Sequence, residues 1–440
     1  MNELRIGLLG LGTVGSGVAR LLLTHGELFE QRLGMGLRLT RIATLPSPHL
    51  KTLDLTGIAV SDDARAVVTA PDVDLVVELI GGYDPARGFI RTALEQGKHV
   101  VTANKALIAV HGNELLAVAR DHGVELCFEA AVAGAIPILK ALRESLVANR
   151  IDRIQGILNG TCNYILTEMR ERGAPFAQVL QEAQAQGYAE ADPSFDVDGI
   201  DTAHKLTILS ALAFGTPLDF ASVHIEGIRN ISEVDIAWAE RLNYRIKLLA
   251  IARRVDGRLQ LRVHPAMVGA DTMVATVEGV FNAVFVDGDF SGPTMYHGRG
   301  AGQLPTASAV VADIADVARN LRAGAVGRVA PLSTWPERLT PLPVQPIDEL
   351  VSEYFLRMTV ADRAGVLAEV TRIFHHHNIS IMTIHQDAVP GQNREDSPVP
   401  LVLVTHATTE RKIQASLAEL ERLEVVTEKP HLIRIESSID

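Results

Sequence analysis

The first 130 or so residues alternate short apolar runs with stretches whose apolar positions recur at helical spacing. LRIGLLG reads as a buried strand, VGSGVARLLLTHG as a helix and LRLTRIATL as a second strand. VDLVVELIGG is a strand ending in a glycine pair, ARGFIRTALEQG a helix, and HVVTANK a strand that carries Lys105 at its end. NELLAVARDHG is a further helix and VELCFEAAV a further strand. Repeated strand-helix units predict an α/β fold with a Rossmann-like, doubly wound parallel sheet.

From about residue 134 the pattern changes. GAIPILKALRESL predicts a helix, RIDRIQGILNG a strand, TCNYILTEMRERG a helix, and HKLTILSALAFG a helix over 203–214. VHIEGI, LQLRVHPAMV and ATVEGVFNAVFVDG then read as strands in series, as in a mixed α+β substrate domain. GRGAGQLPTASAVVADIADVARN returns to loop and helix. Residues 323–349 are rich in Pro and Gly, lack periodicity and read as a linker. Beyond them the order βαββαβ fills about 90 residues, a small and separate α+β module.

At 440 residues the chain needs two or three domains. Its 47% apolar and 21% charged residues are ordinary for a globular protein. A formal charge of −12 without a Lys/Arg-rich run argues against nucleic acid as a partner. No window has the 18 or so uninterrupted apolar residues of a membrane helix. Two cysteines, Cys127 and Cys162, have neither metal spacing nor the numbers for a disulfide framework. MNELRIGLLG runs straight into a strand without a basic-then-apolar leader, so a cytoplasmic location is expected.

Gly10-Leu11-Gly12-Thr13-Val14-Gly15 lies between the first strand and the first helix, the context a dinucleotide fingerprint requires. Gly10 permits the tight turn, Gly12 lets a pyrophosphate approach the backbone, and Gly15 lets helix pack on strand. The phosphates then meet the helix N-terminus. The end of the second strand, Arg41-Ile-Ala-Thr44-Leu-Pro-Ser47-Pro-His49-Leu-Lys51, has no acidic residue to hold a ribose 2′-hydroxyl, and Ser47, His49 and Lys51 suit a 2′-phosphate. The expected cofactor is NADP or NAD, with NADP favoured.

The stretch GYAEADPSFDVDGIDTAHKL packs Glu190, Asp192, Asp196, Asp198 and Asp201 into one loop that runs into a helix. Asp201 and Lys205 are four apart, so a carboxylate and an ammonium face one side of it. Such a pair can bind a charged substrate and deliver a proton. It can equally be an acidic first turn suited to the helix dipole.

Taken in order, the glycine fingerprint, HVVTANKALIA, FEAAVAGAIPIL, GILNGTCNYIL and the Glu/Asp/Lys loop resemble homoserine dehydrogenase over residues 5–320. The tail, with Asp362-Arg-Ala-Gly365 before its first helix, resembles an ACT domain. The resemblance implies NAD(P)H-dependent, reversible reduction of L-aspartate 4-semialdehyde to L-homoserine, on the way to threonine, methionine and isoleucine. It implies a nucleotide-binding domain at 1–133 completed by a helix from about 305–322, a substrate-binding and oligomerisation domain at 134–304, a linker at 323–349 and an ACT-like domain at 350–440. It makes Lys205 the proton donor, with Asp201 and Lys105 as its catalytic companions. Glu190, Asp201, Lys105, Asp196 and Thr161 would bind substrate. Gly10, Gly12, Thr13, Val14, Gly15, Lys105, Gly187 and Gly302 would line the cofactor. Main-chain carbonyls of Glu129, Val132, Gly134 and Ile136 would hold Na+ or K+. Asp362 and Gly365 would contact an amino-acid effector, L-threonine first, in a homodimer or homotetramer. Thr161 and Asn163 can also be simple helix-capping residues.

Two features compete for attention. Asp196-Val-Asp198-Gly199 lacks the third ligand and the later Glu of a calcium loop. His375-His376-His377 are consecutive and do not share a helix face. A non-catalytic nucleotide and amino-acid sensor would have lost a site lysine or aspartate, yet Lys105, Asp201 and Lys205 are all present. Another amino-acid-linked dehydrogenase remains the alternative within the same class.

Overall fold

The computed structural model describes residues 3–386 and 397–436. Six parallel strands form the first sheet: β1 Glu3–Leu9, β2 Gly36–Ala43, β3 Ala59–Ser61, β4 Leu75–Glu78, β5 His99–Thr102 and β6 Leu126–Cys127, in the order β3-β2-β1-β4-β5-β6. The order reverses between β1 and β4, and the crevice beyond the strand C-termini there is where such sheets bind ligands. Strands buried throughout and apolar on both faces, such as residues 75–77 of β4, reflect helices on both faces. One of them comes from far along the chain. Helix Gln303–Ala323 packs on helix Thr13–Thr24, and its Ala307, Val310, Ile314 and Val317 share a core with Leu4, Ile6 and Leu8.

The second sheet begins with Gly292–Arg299, Phe281–Gly288, Ile151–Ile157, Tyr244–Val255 and Arg258–Gly269, each antiparallel to the next in this series. It does not stop there. Strand His431–Glu436 of the C-terminal module pairs in parallel with Arg258–Gly269, with Ala266 opposite Arg434, and Val351–Ala361, Pro398–Thr405 and Ile381–Gln386 follow. The predicted βαββαβ order is present, with helices Val366–His376 and Glu410–Leu420. The module is nevertheless not separate: one sheet runs through both parts. Residues 323–349 are largely irregular but do not form a free tether. Leu259 N–H donates to Pro343 O at 2.9 Å, Gln345 N–H donates to Leu259 O at 2.8 Å, and Leu332 is 3% exposed.

Other departures have local causes. Lys105 does not end a strand; it opens helix Lys105–Asp121, because Asn104 caps that helix by accepting from Leu107 N–H at 3.1 Å. The strand expected over VELCFEAAV ends at Cys127. There Asp313 takes the Glu129 N–H at 2.8 Å and the chain turns through Glu129–Ala131. Strand Tyr244–Val255, YRIKLLAIARRV, is apolar on both faces and shows no alternation. Strand Gly292–Arg299 is a mostly polar sheet edge.

Candidate active site

Helix Ile200–Phe214 is buried along nearly its whole length, so its polar residues at the N-terminal end are placed by packing. Asp201 is the hub. Its carboxylate accepts Lys105 Nζ at 2.7 Å on Oδ1, and Lys205 Nζ at 2.7 Å and Asn159 Nδ2 at 2.8 Å on Oδ2. Lys205 also donates to Leu158 O at 2.7 Å. The Asp201 and Lys205 side chains are 2% and 9% exposed, whereas Lys105 is 37% exposed and reaches in from the first turn of helix Lys105–Asp121. The i,i+4 pair is thus a buried ion pair shared with a second lysine, more than an acidic first turn suited to the helix dipole.

The charges are tuned by this arrangement. Burial works to raise the Asp201 carboxyl, but Lys105 and Lys205 outweigh it and hold it well below the usual carboxylate range. Burial lowers Lys205 below an ordinary lysine, opposed by the Asp201 charge. The Asp201 charge raises Lys105, opposed by burial. Asp196 is raised by burial and by the Asp201 charge beside it.

Asn159, which the sequence reading passed over, joins the two acids. Its Nδ2 donates to Asp196 Oδ1 at 2.7 Å as well as to Asp201, while its Oδ1 caps helix Gly160–Arg172 by accepting from Cys162 N–H at 2.8 Å. Its place just before TCNYIL was a visible N-cap signal. Thr161 donates to Tyr188 O at 2.6 Å and so ties this helix to the acidic loop. Phe195 of the same loop lies 5.3 Å from the His204 ring, which stacks on Phe220 at 4.4 Å. Burial pulls His204 down to about 4, so the ring is neutral, and neither ring nitrogen has a partner among the described residues. Glu190 is exposed at the loop surface. Asp198 faces away, paired with Arg229, and therefore does not join Asp196 in a calcium loop. Asn163 is spent on the carbonyls of Val277 and Gly279, a structural role. His377 pairs with Glu419 at 2.8 Å, and the described residues hold no cluster of three or more His, Cys, Asp or Glu arranged for a metal.

The glycine turn fits a dinucleotide. Gly10 has φ +93°, and a Cβ there would lie 2.7 Å from Leu79 O. A Cβ on Gly15 would lie 2.0 Å from Gly10 O. Gly12, at the N-terminus of helix Thr13–Thr24, has open space where a side chain would stand, which leaves backbone free for a phosphate. Thr13 and Val14 follow in the first turn of that helix. Ser47 Oγ donates to Leu11 O at 2.8 Å and holds the loop after β2 against the glycine turn. Gly302, at φ +118°, caps helix Gln303–Ala323, and Gln303 Nε2 donates to Ser16 Oγ at 2.8 Å, bringing Gly302 to the same edge. Gly187 has φ +74° in the loop before the acids. The expected cation turn includes Ala133 at φ +55° and Gly134 at φ +53°, two successive left-handed residues. A Cβ on Gly134 would strike Gly300 O at 2.7 Å.

A nucleotide-binding sheet whose switch point faces a lysine-carboxylate-lysine triad defines a nicotinamide-dependent oxidoreductase. The family model described as homoserine dehydrogenase, NAD binding domain, matches residues 10–129, that of homoserine dehydrogenase residues 137–315, and that of the ACT domain residues 354–425. Homoserine dehydrogenase from Pseudomonas aeruginosa is 48% identical over 99% of both chains, and that from Neisseria gonorrhoeae 46% over 100% of both. The crystal structure of a homoserine dehydrogenase from Thiobacillus denitrificans superposes with a TM-score of 0.93 at 47% identity, covering 99% of this chain and 98% of that one. A hyperthermophilic archaeal homoserine dehydrogenase in complex with NADPH superposes with a TM-score of 0.61 at 28% identity over 72% of this chain and 97% of that one. The chain belongs to the homoserine dehydrogenase family. It is an enzyme that interconverts L-aspartate 4-semialdehyde and L-homoserine with a nicotinamide cofactor.

Proposed function

We propose that Lys205 protonates the aldehyde oxygen of L-aspartate 4-semialdehyde during reduction, with Asp201 fixing its charge and position. The observation that carries this reading is the bridge of Asp201 to Lys105 and Lys205, both at 2.7 Å. When bound, the nicotinamide supplies the hydride. As the carbonyl carbon accepts it, negative charge gathers on oxygen, and an ammonium in a dry site both stabilises that charge and gives up a proton. Burial of Lys205 favours its neutral product state. Lys105, half-exposed on the cofactor side, orients the substrate and contacts the cofactor. Because the Asp201 charge is already shared by two lysines, the exposed carboxylate of Glu190 is the better partner for the substrate ammonium, with Asp196 and Thr161 completing the pocket.

Gly10, Gly12, Thr13, Val14, Gly15, Gly187 and Gly302 would line the cofactor. NADP is favoured over NAD because the stretch after the second strand offers Ser47, His49 and Lys51 and no acid before Asp54. Carbonyls of Glu129, Val132, Gly134 and Ile136 would hold Na+ or K+. The ACT domain would take L-threonine near Asp362 and Gly365, both exposed, in a cytoplasmic homodimer or homotetramer serving threonine, methionine and isoleucine synthesis. The division at 1–133 with 305–322, 134–304, 323–349 and 350–440 belongs to the same reading. Steady-state kinetics of Glu190→Gln test it. The KM for the semialdehyde should rise at least about tenfold, the loss of one charge-assisted contact, with NADPH affinity kept. An unchanged KM assigns Glu190 elsewhere.

A further inference from the structure

A cavity of about 390 Å³ lies apart from the catalytic cleft, a volume in the ordinary range for small-molecule sites, about 300–1,000 Å³. It is enclosed by the C-terminal half of helix Lys105–Asp121, the end of β6, helix Gln303–Ala323 and the segment 326–339. None of its lining residues belongs to the catalytic group. The first of them along its helix, Asn113, is eight residues beyond Lys105, about 12 Å at the usual helical rise.

The walls are mainly apolar, with Leu116, Leu332, Leu339 and the half-exposed Trp335. A buried acid and a largely buried guanidinium, Asp313 and Arg143, line the same cavity, and burial pushes the Asp313 carboxyl up to about 7, so a cationic partner is what would hold it ionised. Asp313 is 3% exposed; its Oδ2 accepts the Glu129 N–H at 2.8 Å and its Oδ1 has no partner within the described residues. The Arg143 side chain is 12% exposed; one Nη2 donates to Glu129 Oε2 at 3.2 Å, and its remaining N–H groups have no hydrogen bond within the described residues. Both residues line the cavity. A buried carboxyl and a guanidinium with spare capacity in one cavity wall suit a ligand that brings an ammonium and a carboxylate together. The apolar walls suit a hydrocarbon body attached to them.

We propose that this cavity binds a free α-amino acid with an apolar side chain: the carboxylate on Arg143, the ammonium on Asp313, and the side chain among Leu116, Leu332 and Leu339. The proposal does not depend on the roles given above to the catalytic lysines or the ACT module.

Isothermal titration of the full-length protein tests it, using L-leucine, L-methionine and L-phenylalanine. L-leucinol, which lacks the carboxylate, and 4-methylpentanoate, which lacks the ammonium, are the controls. At least one of the three amino acids should bind one per chain, and both controls should bind at least about tenfold more weakly, the loss of one charge-assisted hydrogen bond. Asp313→Asn keeps an oxygen for the Glu129 N–H but cannot ionise against the ligand's ammonium, and should weaken binding by a similar factor. Ala117→Trp, on the cavity wall, should abolish it while semialdehyde reduction continues. Absence of heat with all three at millimolar concentration overturns the proposal. So does leucinol binding as tightly as leucine. So does affinity unchanged in both variants, which would place the amino acid in the substrate cleft or the ACT module.

Discussion

Asp201→Asn is the most informative single substitution. It preserves shape and removes the charge that two lysines share. At an effective dielectric near 20, a unit charge about 4 Å away is worth about 4 kcal/mol, or about three pKa units. The amide oxygen and solvent at Lys105 recover part of this, so Lys205, already lowered by burial, should fall by at least about one further unit. As proton donor it must be charged, so the rate of semialdehyde reduction falls as pH rises through its pKa. In the variant this falling limb should move to lower pH by at least about one unit, with kcat at neutral pH reduced by about 10² or more. Removing one partner from a buried ion pair also costs about 3–5 kcal/mol. That deficit should shrink at alkaline pH, because a lysine whose folded pKa is depressed gains folding stability as it deprotonates. The assay is NADPH oxidation across a pH series, with urea denaturation at two pH values. An unmoved limb together with kcat within a few-fold of wild type would refute the reasoning.

Three further outcomes follow from the geometry. Gly15→Ala places a Cβ 2.0 Å from Gly10 O, so it should weaken NADPH binding by tenfold or more with little change in semialdehyde KM relative to wild type at saturating NADPH, measured by fluorescence titration and kinetics. Asn159→Asp keeps the helix cap but turns a donor between two acids into a third acid, so KM should rise and activity should recover partly at low pH; a flat pH response would make Asn159 structural only. Arg434→Ala leaves Glu410, 2% exposed, without its guanidinium, and should lower stability by about 3–5 kcal/mol in urea denaturation.

Much of this architecture was readable from pattern. The alternation that predicted a doubly wound sheet works because parallel strands buried on both faces show as apolar runs. The glycine fingerprint was legible because Gly10 and Gly15 meet steric demands that no other residue satisfies. The same rule hid Tyr244–Val255, an apolar run indistinguishable from a buried helix, and Gly292–Arg299, an edge without an apolar face. The Asp201–Lys205 spacing was visible, but Lys105 comes to Asp201 from 96 positions away, a contact that only the fold creates. The joining of the C-terminal module was equally out of reach. Backbone pairing between Ala266 and Arg434 leaves no local mark on either strand.

The proton-donor assignment is tested most directly by Lys205→Ala. The Kd for NADPH should stay near that of the wild type, while kcat for semialdehyde reduction falls by about 10² or more. Near-normal turnover in a folded Lys205→Ala protein would contradict the account.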